Sequence, residues 1–228
     1  MKVAAIIAAA GVGKRMGGKV PKQYLELMGR PVICHTLDRF REVGMVEQVV
    51  VVVEPGREDS FRDDILGRFG YPSGWQIVGG GAVRQDSVFN GLSLVSQDCD
   101  VVVVHDGVRP FISAAEIESA AALAARDGAC ILASRVKETI KRANAQGCIL
   151  ETVDRESLWS AQTPQCFRRE LFASAMASAR RDGFVGTDEA SLVERVGGRV
   201  TIMEGDSRNI KITTPADLAI AEALLRDR

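Results

Sequence analysis

Two stretches of this chain, Gln48 to Val53 and Val101 to His105, are almost unbroken valine. A strand with one face in water alternates apolar and polar residues; one that is apolar at every step has both faces covered. Val3 to Ala8 and Ala129 to Ala133 read the same way, and Ile77 to Val78 is a shorter case. Between them lie helical patterns near Pro31 to Arg41, Asp59 to Arg68, Gln85 to Leu94 and Ala115 to Arg126. Buried strands alternating with helices predict an α/β fold, a three-layer sandwich around a mostly parallel sheet. Ligands of such sheets sit beyond the carboxyl ends of the strands. The loops that start at Ala8, Gly79 and Asp106 all leave carboxyl ends, so the pattern lets them line one crevice.

The alternation stops near Arg135. Val136 to Lys141, a turn at Asn144 to Gly147, and Cys148 to Val153 read as a β-hairpin. Its faces alternate poorly for a core, which predicts an arm over residues 135–155 that reaches away from the sheet and buries itself on another subunit. Helices follow at Glu170 to Arg181 and at Asp188 to Val196, the latter with Thr187 as its cap. A strand is expected at Val200 to Glu204, and Asn209 to Ile212 is strand-like. Thr214-Pro215 opens the last helix as cap and first residue. With no repeat, low-complexity tract or linker, the expectation is one domain over residues 1–228, plus the arm.

The composition narrows the function. A formal net charge of −1 carries no basic excess for nucleic acid or a membrane surface, so any anion site must be local. No apolar run reaches membrane-spanning length, and the chain starts on a strand pattern rather than a signal peptide. The five cysteines are scattered without a C-x-x-C pair, which reads as reduced core residues of a cytoplasmic protein.

A local anion site is visible between Ala8 and Gln23. Small residues and glycines let a ligand approach the backbone N–H groups, and Lys14, Arg15, Lys19 and Lys22 add full charges. The simplest ligand for both features is a polyphosphate; the alternative is an ordinary strand-to-helix turn with a solvated basic stretch. It is not a Walker loop, since Ala8 stands where that loop needs glycine and Arg15 where it needs Ser or Thr. Nor is it a dinucleotide fingerprint, because Met16 replaces the third glycine.

Asp106 ends a buried strand facing this loop. It reads either as a ligand for Mg²⁺ shared with substrate phosphates or as a cap for the loop that follows. His105 reads as packing at the strand end, since no nucleophile and orienting acid accompany it in recognisable order. Gly79-Gly80-Gly81 leads through Ala82 to Ser87. This loop either lays a flat base against its backbone, with Ser87 at the base edge, or makes a wide turn. Arg155 and Lys211 are isolated cations to which spacing alone gives no role.

Together these stretches closely resemble the 2-C-methyl-D-erythritol 4-phosphate cytidylyltransferase family. The resemblance rests on Ala9 to Met16, Pro21 to Tyr24, Arg84 to Val88, His105 to Pro110 and Val153 to Arg155. It extends to Leu158-Trp159, Thr163 to Gln165, Thr187 to Ala190 and Asn209 to Thr213. Gly107 and Val108 depart from the usual two alanines, and Ala82 replaces a frequent acidic residue. The resemblance implies a Rossmann-like nucleotidyltransferase sheet and the joining of CTP to a sugar-alcohol phosphate. Arg15 and Lys22 would stabilise the transition state, and Asp106 would bind Mg²⁺ or another divalent cation. Ala9, Ala10, Gly11, Gly81, Ser87 and Arg109 would hold the nucleotide. Arg155, Lys211, Thr139 and Thr187 would position the alcohol phosphate, with Thr163 a further candidate. A homodimer through the arm is implied, and the chain's end at Arg228 leaves no expected fused cyclase. The nearest rival is another polyol-phosphate cytidylyltransferase, such as one acting on ribitol 5-phosphate. A non-catalytic nucleotide sensor is a rival of a different class, but sensing needs no second phosphate clamp.

Overall fold

The computed structural model describes residues 1–11 and 20–227. The strands, in chain order, are β1 (Val3–Ala8), β2 (Glu26–Leu27), β3 (Arg30–Pro31), β4 (Val46–Val53), β5 (Gln76–Gly79) and β6 (Val101–Asp106). They continue as β7 (Ala129–Arg135), β8 (Ile140–Ala143), β9 (Ile149–Val153), β10 (Trp159–Arg168) and β11 (Thr201–Glu204). Helices are α1 (Val32–Arg41), α2 (Glu58–Phe61), α3 (Arg84–Ser93), α4 (Ala114–Asp127), α5 (Arg169–Arg181), α6 (Glu189–Arg195) and α7 (Pro215–Arg226).

Seven strands form one sheet in the order β11-β7-β10-β6-β1-β4-β5. All neighbours pair parallel except β10, which runs antiparallel to both β6 and β7. The valine runs behave as their composition requires. Val49, Val51, Val53, Val101 and Val103 pack into one core layer with Ile33, Leu37, Phe40 and Ile117. Val50, Val52, Val102 and Val104 face the opposite layer with Val88, Phe172, Met176 and Leu192. The period of two splits each run between two buried faces, giving the expected three layers. None of the helices described is long and apolar enough to cross a membrane.

The structure adds one element and corrects three readings. A central strand, β10, occupies 159–168, where polar Gln162, Thr163 and Gln165 hide the apolar signal although all three are buried. Asn209 to Ile212 is not a strand; Ile212 makes one backbone bond to the Val108 carbonyl at 2.9 Å, and its side chain joins a small core with Val108, Phe111 and Ala221 from α7. Helix α6 is capped by Asp188, whose side chain accepts from Ser191 N–H at 3.0 Å, and not by Thr187. The pattern at 59–68 resolves into short α2 followed by a π-helical turn at Arg62–Gly67. Thr214 and Pro215 do open α7 as cap and first residue.

Strands β8 and β9 form their own two-stranded sheet, joined by a turn in which Asn144 N–H donates to the Cys148 carbonyl. Ile149 and Leu150, adjacent on this hairpin, are 64% and 62% exposed and place two large aliphatic side chains side by side on its surface.

Candidate active site

The carboxyl ends of β1, β5 and β6 open onto one crevice of about 430 Å³. Its floor is Ala8 to Gly11, one wall is Gly81 to Arg84 with Ser87, and the other carries Lys22, Asp106 and Lys211. Of the nucleotide residues anticipated from the sequence, Ala9, Ala10, Gly11, Gly81 and Ser87 line it. The Ser87 hydroxyl accepts from Gly81 N–H and donates to the Val83 carbonyl, both at 3.1 Å, which holds the glycine loop against the start of α3. Gly80 is required there: a Cβ would lie 2.5 Å from Ala10 Cβ and 2.8 Å from Ser87 Oγ.

Lys22 begins a 3₁₀ turn, Lys22–Tyr24. Gln23 in that turn is 1% exposed, and its Nε2 donates to the Ala9 carbonyl at 2.7 Å, tying the turn to the end of β1. Arg15, Lys14 and Lys19 lie outside the described residues.

Asp106 is the electrostatic centre. Its side chain is 7% exposed and meets Lys211 Nζ at 2.8 Å and Arg109 Nε at 3.3 Å on Oδ2, and Arg84 at 3.3 Å on Oδ1. Burial alone would raise its pKa, but the Arg84, Lys211 and Arg109 charges outweigh that and hold the carboxyl far below the usual range. Arg84 is shared: its Nη1 donates to both oxygens of buried Glu189 at 2.5 and 2.6 Å. Glu189 and Asp106 thus carry two negative charges against three from Arg84, Arg109 and Lys211. Lys22 adds a fourth cation and Glu54 a third carboxylate, leaving the crevice net positive by one charge among the described residues. A positive cleft with low-dielectric walls concentrates an anionic ligand.

Lys211 reaches Asp106 because its segment is pinned on both sides. Buried Asn209 donates to the Thr163 carbonyl at 2.8 Å and accepts from Arg109 on its own carbonyl at 2.6 Å, while Ile212 is anchored as above. Thr163 Oγ1 accepts from Asp106 N–H and lies 3.1 Å from His105 Nδ1; His105 Nε2 lies 3.1 Å from the Arg109 carbonyl. Because the carbonyl only accepts, Nε2 carries the proton and Nδ1 accepts from Thr163. Burial lowers the His105 pKa to about 4. His105 is therefore a neutral brace behind Asp106.

This has a consequence for stability. Between pH 6.5 and 4 the unfolded chain protonates this histidine and the folded one does not, so stability falls as pH drops. The linkage amounts to about 2 kcal/mol at pH 5 relative to pH 7. The pKa of His35 is also lowered by burial and acts in the same direction, so the comparison must be with His105→Gln. Urea titrations at pH 7 and 5 should show the loss in the native protein and a shallower one in the variant; identical slopes would contradict a buried neutral His105.

Three anticipated residues lie away from the crevice of this chain. Arg155 is exposed at the base of the hairpin, where it donates to the Lys137 carbonyl; Thr139 is exposed beside it; Thr187 is exposed before α6. Arg109 touches the site through Asp106 rather than by lining the crevice. The sequence analysis missed the Arg84–Glu189 pair, although both residues stand in stretches that carried the resemblance. Their 105-residue separation gave no local signal.

The sheet, the glycine loop and the cation cluster define an α/β protein with a cation-lined crevice at the carboxyl edge of its strands. The family model of 2-C-methyl-D-erythritol 4-phosphate cytidylyltransferase matches residues 3–227, and the chain belongs to that family. It is 47% identical over 227 residues to the 2-C-methyl-D-erythritol 4-phosphate cytidylyltransferase of Pelotomaculum thermopropionicum, covering 100% of this chain and 95% of that protein. It is 46% identical over 229 residues to the protein of the same name from Geobacillus kaustophilus, covering 100% and 99%. Among solved structures, the Anaerococcus prevotii 4-diphosphocytidyl-2C-methyl-D-erythritol synthase superposes with a TM-score of 0.87 at 31% identity, covering 99% and 96%. The Thermus thermophilus cytidylyltransferase gives 0.81 at 35%, covering 99% and 100%.

Proposed function

We propose that this chain is a nucleotidyltransferase that joins CTP to 2-C-methyl-D-erythritol 4-phosphate, releasing pyrophosphate and 4-diphosphocytidyl-2-C-methyl-D-erythritol, a step of isoprenoid biosynthesis. The observation that carries the reading is the net-positive crevice, in which Lys22, Lys211, Arg84 and Asp106 converge beside the glycine loop, within a chain matched end to end by this family.

In the reaction an oxygen of the alcohol's phosphate attacks the α-phosphorus of CTP, and the bond from that phosphorus to the bridging oxygen breaks as pyrophosphate leaves. Both partners are anions, so repulsion is the obstacle. A phosphate monoester is mostly dianionic at neutral pH and needs no base, in keeping with a His105 that stays neutral and bonded on both nitrogens. Lys22 and Arg15 offset charge growing on the α-phosphate and the leaving group. The Gly80-Gly81 loop with Ser87 seats the base, and Ala9 to Gly11 offer a close backbone approach to the phosphates.

Asp106 is the residue that would hold Mg²⁺ or another divalent cation. Among the described residues no three His, Cys, Asp or Glu converge as a metal site. The fit is therefore the mode in which one carboxylate shares the ion with substrate phosphates. Oδ1 accepts from Arg84 at a long 3.3 Å, which leaves it acceptor capacity. When bound, the cation would neutralise charge on the CTP phosphates.

The arm completes the reading. Exposed Ile149 and Leu150 support a homodimer in which the hairpin crosses to a second copy, bringing Thr139 and Arg155 to the alcohol phosphate in the partner's crevice. The scattered, unpaired cysteines support a cytoplasmic enzyme. Arg155→Ala should raise KM for the alcohol phosphate about 10–100-fold, the loss of a charge-assisted hydrogen bond, while CTP affinity measured by titration stays unchanged. Weakened CTP binding with an unchanged KM would remove that role.

Pyrophosphate release across four nucleoside triphosphates and several polyol phosphates, ribitol 5-phosphate among them, tests the whole proposal. Release is expected with CTP and 2-C-methyl-D-erythritol 4-phosphate together. Equal turnover with ribitol 5-phosphate, or none with this pair, would overturn it.

A further inference from the structure

Arg84 and Glu189 join two helix starts that are far apart in sequence. Arg84 is the first residue of α3, directly after the glycine loop, and Glu189 is the first residue of α6. Glu189 is 2% exposed and holds Arg84 Nη1 with both carboxylate oxygens at 2.5 and 2.6 Å. The other terminal nitrogen, Nη2, donates to Asp106 Oδ1 over a longer 3.3 Å. The guanidinium is thus bound tightly on one side and only loosely on the side that faces the crevice. Nearby bonds fix this arrangement: Gln85 Nε2 donates to the Phe184 carbonyl and its Oε1 accepts from Gly186 N–H, both at 2.9 Å. Gln165 donates to Asp188 at 2.8 Å and accepts from Ala190 N–H at 3.0 Å. The start of α6 therefore cannot drift relative to α3.

We infer that Glu189 is a positioning residue for the cation end of the site: by holding Arg84, it keeps the guanidinium's bond to Asp106 Oδ1 long, so that a divalent cation can compete for that oxygen. This rests on the reading of Asp106 as the carboxylate that meets the ion. A free guanidinium beside a buried carboxylate forms a short, charge-assisted pair, and such a pair competes directly with a metal. With Glu189 in place, its charge cancels that of Arg84 and the competition is muted. Without it, Arg84, Lys211 and Arg109 would all bear on Asp106 unopposed.

The test is the affinity of Mn²⁺ for the complex of the full chain with CTP, read by the electron-paramagnetic signal of free Mn²⁺ and corrected for CTP alone. Glu189→Gln should weaken binding about tenfold, a usual size for coupled neighbours. Adding Arg84→Gln to it removes the competitor and should bring affinity back to within about threefold of the native protein. A merely structural role for Glu189 would be rescued in the same way, so Arg84→Gln alone separates the two. At saturating CTP it removes the competitor and should bind Mn²⁺ no more weakly than the native complex, whereas a structural pair would lose affinity when either partner is removed. Unchanged affinity in Glu189→Gln, or a loss that Arg84→Gln does not recover, overturns the inference. If Glu189→Gln alone does not fold, the double variant, whose side chains form a neutral amide pair, carries the test through the same recovery. Asp106→Asn separates the two readings. If it binds Mn²⁺ as tightly as the native complex, the metal role of Asp106 is wrong and the inference falls with it. If it loses Mn²⁺ while Glu189→Gln does not, only the role of Glu189 is wrong.

Discussion

Replacing Lys22 with alanine should lower kcat about 10²–10³-fold while changing CTP affinity by less than about fivefold, the pattern of a donor used mainly in the transition state. Gln23 is buried and bonded to the Ala9 carbonyl, so Lys22 projects from a fixed 3₁₀ turn and not from a loose loop. A charge held in place before the reaction costs no reorganisation as negative charge builds on the phosphates. The ground state already has Arg84, Lys211 and the backbone of Ala9 to Gly11 about the crevice, so one lysine contributes little to binding alone. Steady-state kinetics with a calorimetric CTP titration checks both halves. A folded Lys22→Ala enzyme with unchanged kcat would exclude the role, as would a kcat loss matched by an equal loss of CTP affinity. Arg15→Ala should behave alike by the same reasoning from charge.

Asp106→Asn should be damaged twice. At fixed Mg²⁺ its kcat should fall at least about 100-fold, because the amide neither compensates the cations nor shares a metal with the phosphates. It should also lose stability. Removing one partner of a buried pair typically costs 3–5 kcal/mol because the other charge stays buried. Arg84 and Lys211 keep 34% and 35% of their side chains in water while Arg109 keeps 11%, so solvent screens part of the cost and about 3 kcal/mol is expected. Urea denaturation and kinetics on the same preparation read the two effects separately. Full activity at native stability would show that the carboxylate is peripheral.

What could be read from the sequence divides along a physical line. The valine runs required burial on both faces, and the sheet supplies it; the carboxyl-end loops do share a crevice, because parallel strands leave them no other edge. The glycine loop and Lys22 were legible because small residues and cations signal their use locally. Strand β10 was not, because its polar residues are satisfied inside the protein: Gln165 by Asp188 and Ala190, Thr163 by Asp106 and His105. A buried polar strand looks like a loop until its partners are known. The Arg84–Glu189 pair was hidden for the same reason, since neither residue marks its partner. The strand-like signal at 209–212 came from residues that serve anchoring instead, with Asn209 and Ile212 buried and Lys211 reaching Asp106.

The central claim is that the crevice overcomes repulsion between two phosphates and lets the substrate's own ionisation make the nucleophile. The most direct measurement is kcat/KM for the alcohol phosphate against pH, repeated with its phosphonate analogue, whose second ionisation lies higher. The acid limb should fall near pH 6, about where a phosphate monoester loses its second proton, and should move up with the analogue. A limb that stays at one pH for both substrates would mean that a protein group generates the nucleophile, and would contradict the account.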